Sequence, residues 1–216
     1  MKEQKDKKDK KDTSKKVIII QKNYRGFITR KKLFKLQDNF KLEVIDELLN
    51  KFIIFNDVID NTNLLLGINC KKKIRKLNFM SEISENIVKL AIRKKYGVCP
   101  MWDTKSGDLY ICSKKIEVKG FSSDGPSSFG PTEDWHWIYF IDCKKYKEKH
   151  FIIYEIKLSN KSDIFRNIKI SSSDTFGKIA DANQRGKLRG AFETIFKKQL
   201  GNNCNMIFNG YLKDLA

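Results

Sequence analysis

The spacing of hydrophobic residues along the chain predicts helices first and strands afterwards. Residues 1–14, MKEQKDKKDKKDTS, offer almost nothing that a core could bury, so we expect a disordered basic tail. The next segment, KKVIIIQKNYRGFITRKKLFKLQ, has apolar residues at helical spacing among Lys and Arg, which predicts a basic amphipathic helix. Residues 39–66 repeat the helical period, although FIIFNDVI within them suits either a helix or a strand.

A further helix is predicted for SEISENIVKLAIRKKYG. Ser81 opens it with a capping hydroxyl, Glu82 and Glu85 lie in its first turns, and Gly97 follows its last basic turn. Beyond this segment the apolar period changes to two. DLYIC, KIEVKGF, WIYFIDC and FIIYEIKLS therefore predict four successive strands.

This order of elements predicts an α/β (α+β) domain in which helices flank a central mixed or antiparallel sheet. Residues 175–199 complete it with a segment that is helical in part, despite its glycines. We divide the chain into a tail over 1–14, an N-terminal helical region over 15–75 and a folded domain over 76–216.

The charge of the chain favours a polyanionic partner. The formal net charge is +18, and such a field attracts nucleic acid through its phosphates. Only 7 of the 44 basic residues are Arg, and the abundance of Lys, Asn and Ile is also what an AT-rich coding sequence produces. Charge alone therefore leaves both explanations open.

Cysteine spacing and hydropathy predict where the protein is found. The five cysteines contain no CxxC pair, so reduced thiols in an intracellular compartment fit better than a zinc site or disulfides. No apolar run approaches the ~20 residues of a membrane helix, and the N-terminus does not resemble a signal peptide. We expect a soluble protein of the cytoplasm or nucleus, without membrane contact.

The segment GDLYICSKKIEVKGF carries the candidate chemistry. Glu117 and Lys119 are two apart in a predicted strand and so share one face. A turn near Ser113 would bring Asp108 within reach of Glu117. Two close carboxylates repel unless a cation lies between them, and their hard oxygens select Mg²⁺ or Mn²⁺. Lys119 would then orient the nucleophile or stabilise the developing charge.

Several alternatives remain open for this site. Glu85, or with less support Glu82, is placed to complete the ligand set, and Asp103 competes with Asp108 as the first ligand. The pair Glu155 and Lys157 has the same spacing on a later strand. The plainest alternative is a hairpin whose exposed Glu–Lys ion pair contributes at most ~1 kcal/mol.

Asp108 followed by IEVK at 116–119 looks like the PD-(D/E)xK nuclease pattern, although its usual proline is missing beside the aspartate. The wider block, SENIVKLAIRKKYGVCPMWDTKSGDLY and IEVKGFSSDGPSSFGPTEDWHWIYFIDC, resembles type II restriction endonuclease-like proteins over roughly residues 80–195. The resemblance implies an αβββαβ core that cleaves double-stranded DNA at specific sequences with Mg²⁺, or Mn²⁺ in its place, commonly as a homodimer. An inactive nuclease-like fold that binds DNA or a regulatory partner is the second hypothesis, and an RNA-directed nuclease is the third.

Candidate DNA contacts lie in two segments. SSDGPSSFGP follows the catalytic strand, where it would either approach phosphates and base edges or form a rigid turn. Two arginines at helical spacing would either contact phosphate or guanine or lie on a solvated helix face. The candidate residues are Ser123, Gly125, Ser127, Ser128, Arg185 and Arg189. In WHW, we expect Trp135 and Trp137 on one face, with His136 as a satisfied strand residue or a general base.

Residues 20–30, IQKNYRGFITR, match the IQ calmodulin-binding pattern IQxxxRGxxxR at each specified position. These positions are Ile20, Gln21, Arg25, Gly26 and Arg30. The resemblance implies calmodulin or a calmodulin-like light chain as partner, and a basic helix with an apolar stripe suits the groove of such an acidic protein. The same helix also suits packing on the nuclease domain or lying along DNA.

Overall fold

The computed structural model describes residues 42–66, 74, 76–102, 108–123, 134–183 and 192–216. The α-helices among these residues are α1 (Leu42–Leu66), α2 (Ser81–Tyr96), α3 (Asp163–Arg166), α4 (Phe176–Asp181) and α5 (Lys198–Leu200). A π-helix (Phe192–Lys197) and 3-10 turns at Tyr146–Glu148, Gly201–Asn203 and Leu212–Leu215 complete the helical elements of the described residues. No helix in this part of the chain combines the length and the apolar composition that crossing a membrane requires.

Six strands form one sheet. They are β1 (Met101–Trp102), β2 (Leu109–Ile111), β3 (Lys114–Phe121), β4 (Trp137–Asp142), β5 (His150–Ile156) and β6 (Asn205–Tyr211). Their spatial order is the chain order, and β3 and β4 are parallel whereas every other neighbouring pair is antiparallel. The four predicted strands are β2 to β5, so the prediction of an α+β fold around a mixed sheet is confirmed.

Helix α1 forms because one side of it is consistently apolar. Ile45, Leu49 and Phe52 are almost fully buried, and Phe52 packs edge-on against Phe79 and Tyr146 at ring distances of 5.3 and 5.4 Å. FIIFNDVI is therefore helix rather than strand. Helix α1 belongs to the compact unit Leu42–Ala216, whereas the sequence pattern grouped it with the N-terminal region.

Helix α2 has the predicted end but not the predicted cap. It ends at Gly97, whose φ of 69° is left-handed and whose N–H donates to the Arg93 carbonyl at 2.8 Å. Ser81 is the first helical residue, and the N-cap is Met80, which provides no side-chain hydrogen bond. The Ser81 hydroxyl donates instead to its neighbour Glu82 at 3.2 Å. The predicted cap was therefore placed one residue too far along the chain.

The two faces of the sheet are covered differently. We call the side contacted by α2 the α2 face; there the approach to Gly120 is so close that a Cβ at Gly120 would lie 3.0 Å from the Ser84 Cβ. The other side, the aromatic face, lies under the π-helix and helices α3 to α5. Its buried cluster includes Phe121, Phe140, Tyr154, Phe165 and Phe192.

Trp135 and Trp137 lie in different environments, contrary to prediction. Trp135 precedes β4 and packs in the cluster of the aromatic face, 5.5 Å from the Phe165 ring. Trp137 is the first residue of β4 and contacts Lys157, whose amine lies 5.1 Å from the indole. The alternation of a strand starts only at Trp137, so it does not apply across His136.

Candidate functional site

Strands β2 and β3 bring Asp108 beside Glu117. Leu109 pairs with Ile116, so the same register continued by one residue sets Asp108 opposite Glu117. The Asp108 N–H donates to the Ile116 carbonyl at 3.2 Å, and Asp108 Oδ2 accepts the Val118 N–H at 2.8 Å. One backbone and one side-chain hydrogen bond to β3 therefore hold Asp108 at the start of β2.

Glu117 and Lys119 form a direct ion pair on β3. Lys119 Nζ lies 2.5 Å from Glu117 Oε1. Glu117 is only 6% exposed, so this is not the solvated surface pair that the plainest alternative predicted. Removing charges from water costs several kcal/mol per ion, which close pairing offsets only in part. Such an arrangement is more typical of a functional site than of a stabilising contact.

Helix α2 carries a further buried carboxylate, Glu85, but on the other side of β3. Gly120 lies on the α2 face, so Glu117 and Lys119, which pair with Ile138 and Phe140 of the buried cluster, lie on the aromatic face. Glu85 is buried and follows Ser84, the residue that packs against Gly120, the neighbour of Lys119. Lys89, one turn later on the same side of α2, lies 5.5 Å from the Trp102 ring in β1. This side of α2 therefore faces the edge of the sheet where β1 and β2 lie, and Glu85 is placed there rather than on the outer surface.

The described part of this site supplies two fixed carboxylates and an amine. Within these residues, no group of three or more His, Cys, Asp or Glu side chains is assembled as a metal-binding cluster. Mg²⁺ keeps several waters and commonly takes only one or two carboxylates from the protein. Asp108 and Glu117 fit that donor set, because carboxylate oxygens are the hard ligands that Mg²⁺ takes. Asp103, the competing ligand, lies outside the described residues.

The second Glu–x–Lys pair has a different setting. Glu155 is 3% exposed and accepts hydrogen bonds from the hydroxyls of Tyr139, at 2.5 Å, and Tyr96, at 2.8 Å. Lys157 lies 3.3 Å from the same carboxylate. Burial, reinforced by the hydrogen bond to Glu155, raises the pKa of Tyr96 to about 12 and also raises that of Tyr139. Sequence spacing did not indicate these two phenols, because Tyr96 comes from α2 and Tyr139 from β4.

His136 is held by the backbone of β3. Its N–H donates to the Lys115 carbonyl at 2.9 Å, and its ring Nδ1 accepts the Lys115 N–H at 3.0 Å. A general base needs an unprotonated nitrogen that can accept a proton from water. In this ring, that nitrogen already accepts a backbone hydrogen bond, so the general-base interpretation is not supported.

Of the predicted DNA-contacting and IQ-motif residues, only Ser123 lies among the described residues. Ser123 is exposed and lies two residues after the end of β3. The other predicted DNA contacts and the complete IQ segment lie outside the described residues: Gly125, Ser127, Ser128, Arg185, Arg189, Ile20, Gln21, Arg25, Gly26 and Arg30.

Comparison with known proteins identifies the family. Residues 14–33 match the model of the IQ calmodulin-binding motif. No curated protein and no solved structure matches the chain. Residues 43–195 match the family model of the Bsp6I restriction endonuclease, and this match covers more than two thirds of the chain and contains Glu85, Asp108, Glu117 and Lys119. The chain therefore belongs to the Bsp6I restriction endonuclease family.

Proposed function

We propose that this protein is a Mg²⁺-dependent endonuclease that hydrolyses phosphodiester bonds of double-stranded DNA at specific sequences. The family match supports a restriction-type nuclease. The observation that carries the finer proposal is the buried Glu117–Lys119 pair, at 2.5 Å, beside the Asp108 carboxylate on the paired strand. The net charge of +18 favours a polyanionic substrate.

Each side chain has a separate task in this proposal. Asp108 and Glu117 would hold Mg²⁺, with Mn²⁺ as a substitute, whereas Glu85, predicted from the sequence as a further ligand, lies on the opposite side of β3 and has no role in this proposal. The ion would supply Lewis-acid polarisation of the phosphate and activation of water. Lys119 Nζ, positioned by Glu117, donates hydrogen bonds to the attacking water or to the phosphate as its charge develops. The buried setting strengthens these interactions because water does not screen them.

Plasmid cleavage tests the proposal. Supercoiled DNA of varied sequence is incubated with the protein in Mg²⁺ or in EDTA, and nicked and linear products are separated on a gel. We expect cleavage only with the metal, and a loss of at least about 100-fold for Lys119→Ala. Lys144→Ala is the matched control, since Lys144 forms an ion pair with Asp142 at the far end of β4. Equal activity of Lys119→Ala and wild type would refute the assignment.

The same assay addresses the alternative hypothesis, an inactive nuclease fold that binds DNA or a regulatory partner. Tight binding that is unchanged by divalent ions, together with no cleavage of a randomised DNA library, would favour it. We further propose that two copies cooperate to cut both strands. Sedimentation of the protein with and without DNA tests this directly, because a monomer that makes double-strand breaks in one binding event contradicts it.

We also propose that residues 20–30 bind a calmodulin-like protein, on the basis of the IQ match. Arg25 and Arg30 would contact acidic side chains of the partner, and the apolar stripe would fill its groove. Calorimetric titration of the full chain with calmodulin tests this. Arg25→Ala combined with Arg30→Ala should weaken binding, and unchanged affinity of that variant would contradict the proposal.

A further inference from the structure

Three strands meet at one end of the sheet with donor side chains in a row. Strand β3 begins there at Lys114, β4 begins at Trp137 and β5 ends at Ile156. Ile116 pairs with Trp137, and Ile138 pairs with Ile156, so the register sets Lys157 beside Trp137 and His136 beside Lys115. Adjacent strands are about 4.8 Å apart, and Glu117 follows Lys115 by two residues, or about 7 Å. Lys157 lies on the α2 face and Glu117 on the aromatic face, so the row is near the proposed catalytic strand β3 at this end of the sheet rather than across one face.

His136 presents a hydrogen-bond donor with a fixed direction. Because Nδ1 accepts the Lys115 N–H, the proton of the neutral ring is on Nε2. The two hydrogen bonds to Lys115 hold both the backbone and the ring of His136, so Nε2–H has one orientation. The side chain is partly exposed, and Nε2 has no hydrogen-bond partner among the described residues. A fixed donor of this kind suits an anionic oxygen supplied by a ligand.

The Lys157 ammonium group is held in place although its side chain is not buried. Its Nζ lies 3.3 Å from Glu155, 4.8 Å from the Tyr96 ring and 5.1 Å from the Trp137 ring. Two aromatic faces and a carboxylate therefore restrict a side chain that is usually mobile. The amine has three donors, and the side chain is 46% exposed, so it can also bind a group arriving from solvent.

We propose that His136 Nε2–H and Lys157 Nζ bind phosphate groups of the DNA backbone beside the catalytic strand. This inference rests on the proposed function, since it places the DNA strand that is cut at the end of the sheet where β3 begins. The two residues act differently. Lys157 neutralises a phosphate charge and releases counterions, whereas neutral His136 donates a hydrogen bond and releases none. Their variants should therefore have different salt dependences.

The His136 contact is tested with a matched set of amides. His136→Asn places an amide oxygen near the position of Nδ1, which keeps the bond to the Lys115 N–H but removes the outer donor. His136→Gln places an amide NH₂ near the position of Nε2, which keeps that donor. We expect His136→Asn to bind duplex DNA about tenfold more weakly, with His136→Gln closer to wild type. A purely structural role predicts the reverse order.

The Lys157 contact is tested by the dependence of affinity on salt. Binding of a pool of random-sequence duplexes of about 30 base pairs is measured by fluorescence anisotropy in EDTA from low to moderate salt. Lys157→Ala should reduce the slope of log K against log[salt] by about 0.9, whereas Lys157→Arg and His136→Asn should keep it. Lys147→Ala is the charge control, because Lys147 is 48% exposed and ion-paired but lies before the start of β5, at the other end of that strand.

His150→Asn serves as the histidine control, since His150 starts β5 beside Tyr211 and is the only other histidine. Wild-type affinity of His136→Asn, or an unchanged slope for Lys157→Ala, would overturn the assignment of that residue. Urea denaturation of each variant identifies losses caused by misfolding; if Lys157→Ala fails to fold, Lys157→Gln replaces it. Because binding is measured in EDTA, its result is independent of cleavage. The phosphate contacts of His136 and Lys157 can be confirmed even if the protein does not cleave DNA, and cleavage can be confirmed even if these contacts are refuted.

Discussion

Removal of the Glu155 carboxylate should destabilise the fold strongly. In Glu155→Ala, the hydroxyl of Tyr139 loses its 2.5 Å partner while it remains 1% exposed, so water does not replace that partner. The Tyr96 hydroxyl loses a 2.8 Å bond but is partly exposed and can be solvated. Hydrogen bonds to charged groups contribute about 1.5–3 kcal/mol each, and the unpaired Tyr139 hydroxyl adds a desolvation penalty. We therefore expect a loss of about 3–5 kcal/mol.

Urea unfolding followed by tryptophan fluorescence measures this loss. Glu47→Ala is the control, because Glu47 also pairs with a lysine, Lys51 at 2.5 Å, but its side chain is 66% exposed. Its removal leaves no buried hydroxyl without a partner, so it should cost less than about 1 kcal/mol. Losses that agree within about 0.5 kcal/mol for the two variants would refute the argument that burial sets the cost.

Three other measurements test the packing and the ionisation that the structure shows. Gly120→Ala should lose about 1–3 kcal/mol in urea unfolding, since its Cβ would lie 3.0 Å from the Ser84 Cβ, and combining it with Ser84→Gly should cost less than the sum. Burial and a carboxylate partner hold the pKa of Tyr96 at about 12 against an ordinary 10.0, so stability from its neutral form is present below pH 10 and is lost as the pH rises towards 12. Tyr96→Phe should flatten this alkaline loss. A thiol reagent should modify exposed Cys112 in the native protein but Cys143 only after unfolding, because burial raises the Cys143 pKa well above its usual value; equal rates would contradict the fold.

The strands that could be predicted from the sequence are those in which apolar and polar residues alternate, or in which β-branched and aromatic residues predominate. Strands β3, β4 and β5 lie inside the sheet. Strands β4 and β5 consist largely of β-branched and aromatic residues, and β3 alternates Ile and Val with Glu and Lys over residues 116–119. The sequence missed β1, which has two residues, and β6, whose residues NMIFNGY are partly or fully exposed along an edge. An edge strand that contributes little to the core leaves no alternation to detect.

The opposition of Asp108 and Glu117 was predictable because it depends on a short turn. The turn consists of Cys112 and Ser113, as the prediction of a turn near Ser113 required, and both residues have positive φ, at 44° and 64°. Left-handed residues in two-residue hairpins are usually Gly, Asn or Asp, so the composition of this turn did not indicate its positive φ values. The strand register is nonetheless the expected one, because a two-residue connection fixes it.

The two Glu–x–Lys pairs show what local spacing cannot decide. Both pairs lie on strands inside the sheet, and in both the carboxylate is buried and lies near its lysine. Glu155 faces α2 and β4, which supply two phenol hydroxyls, so the interior of the protein satisfies its charge. Glu117 lies beside another carboxylate, Asp108, because Leu109 pairs with Ile116 and the next position along this register sets Asp108 opposite Glu117. The partners of each carboxylate therefore come from neighbouring elements that are distant in sequence, and the local Glu–x–Lys spacing does not reveal them.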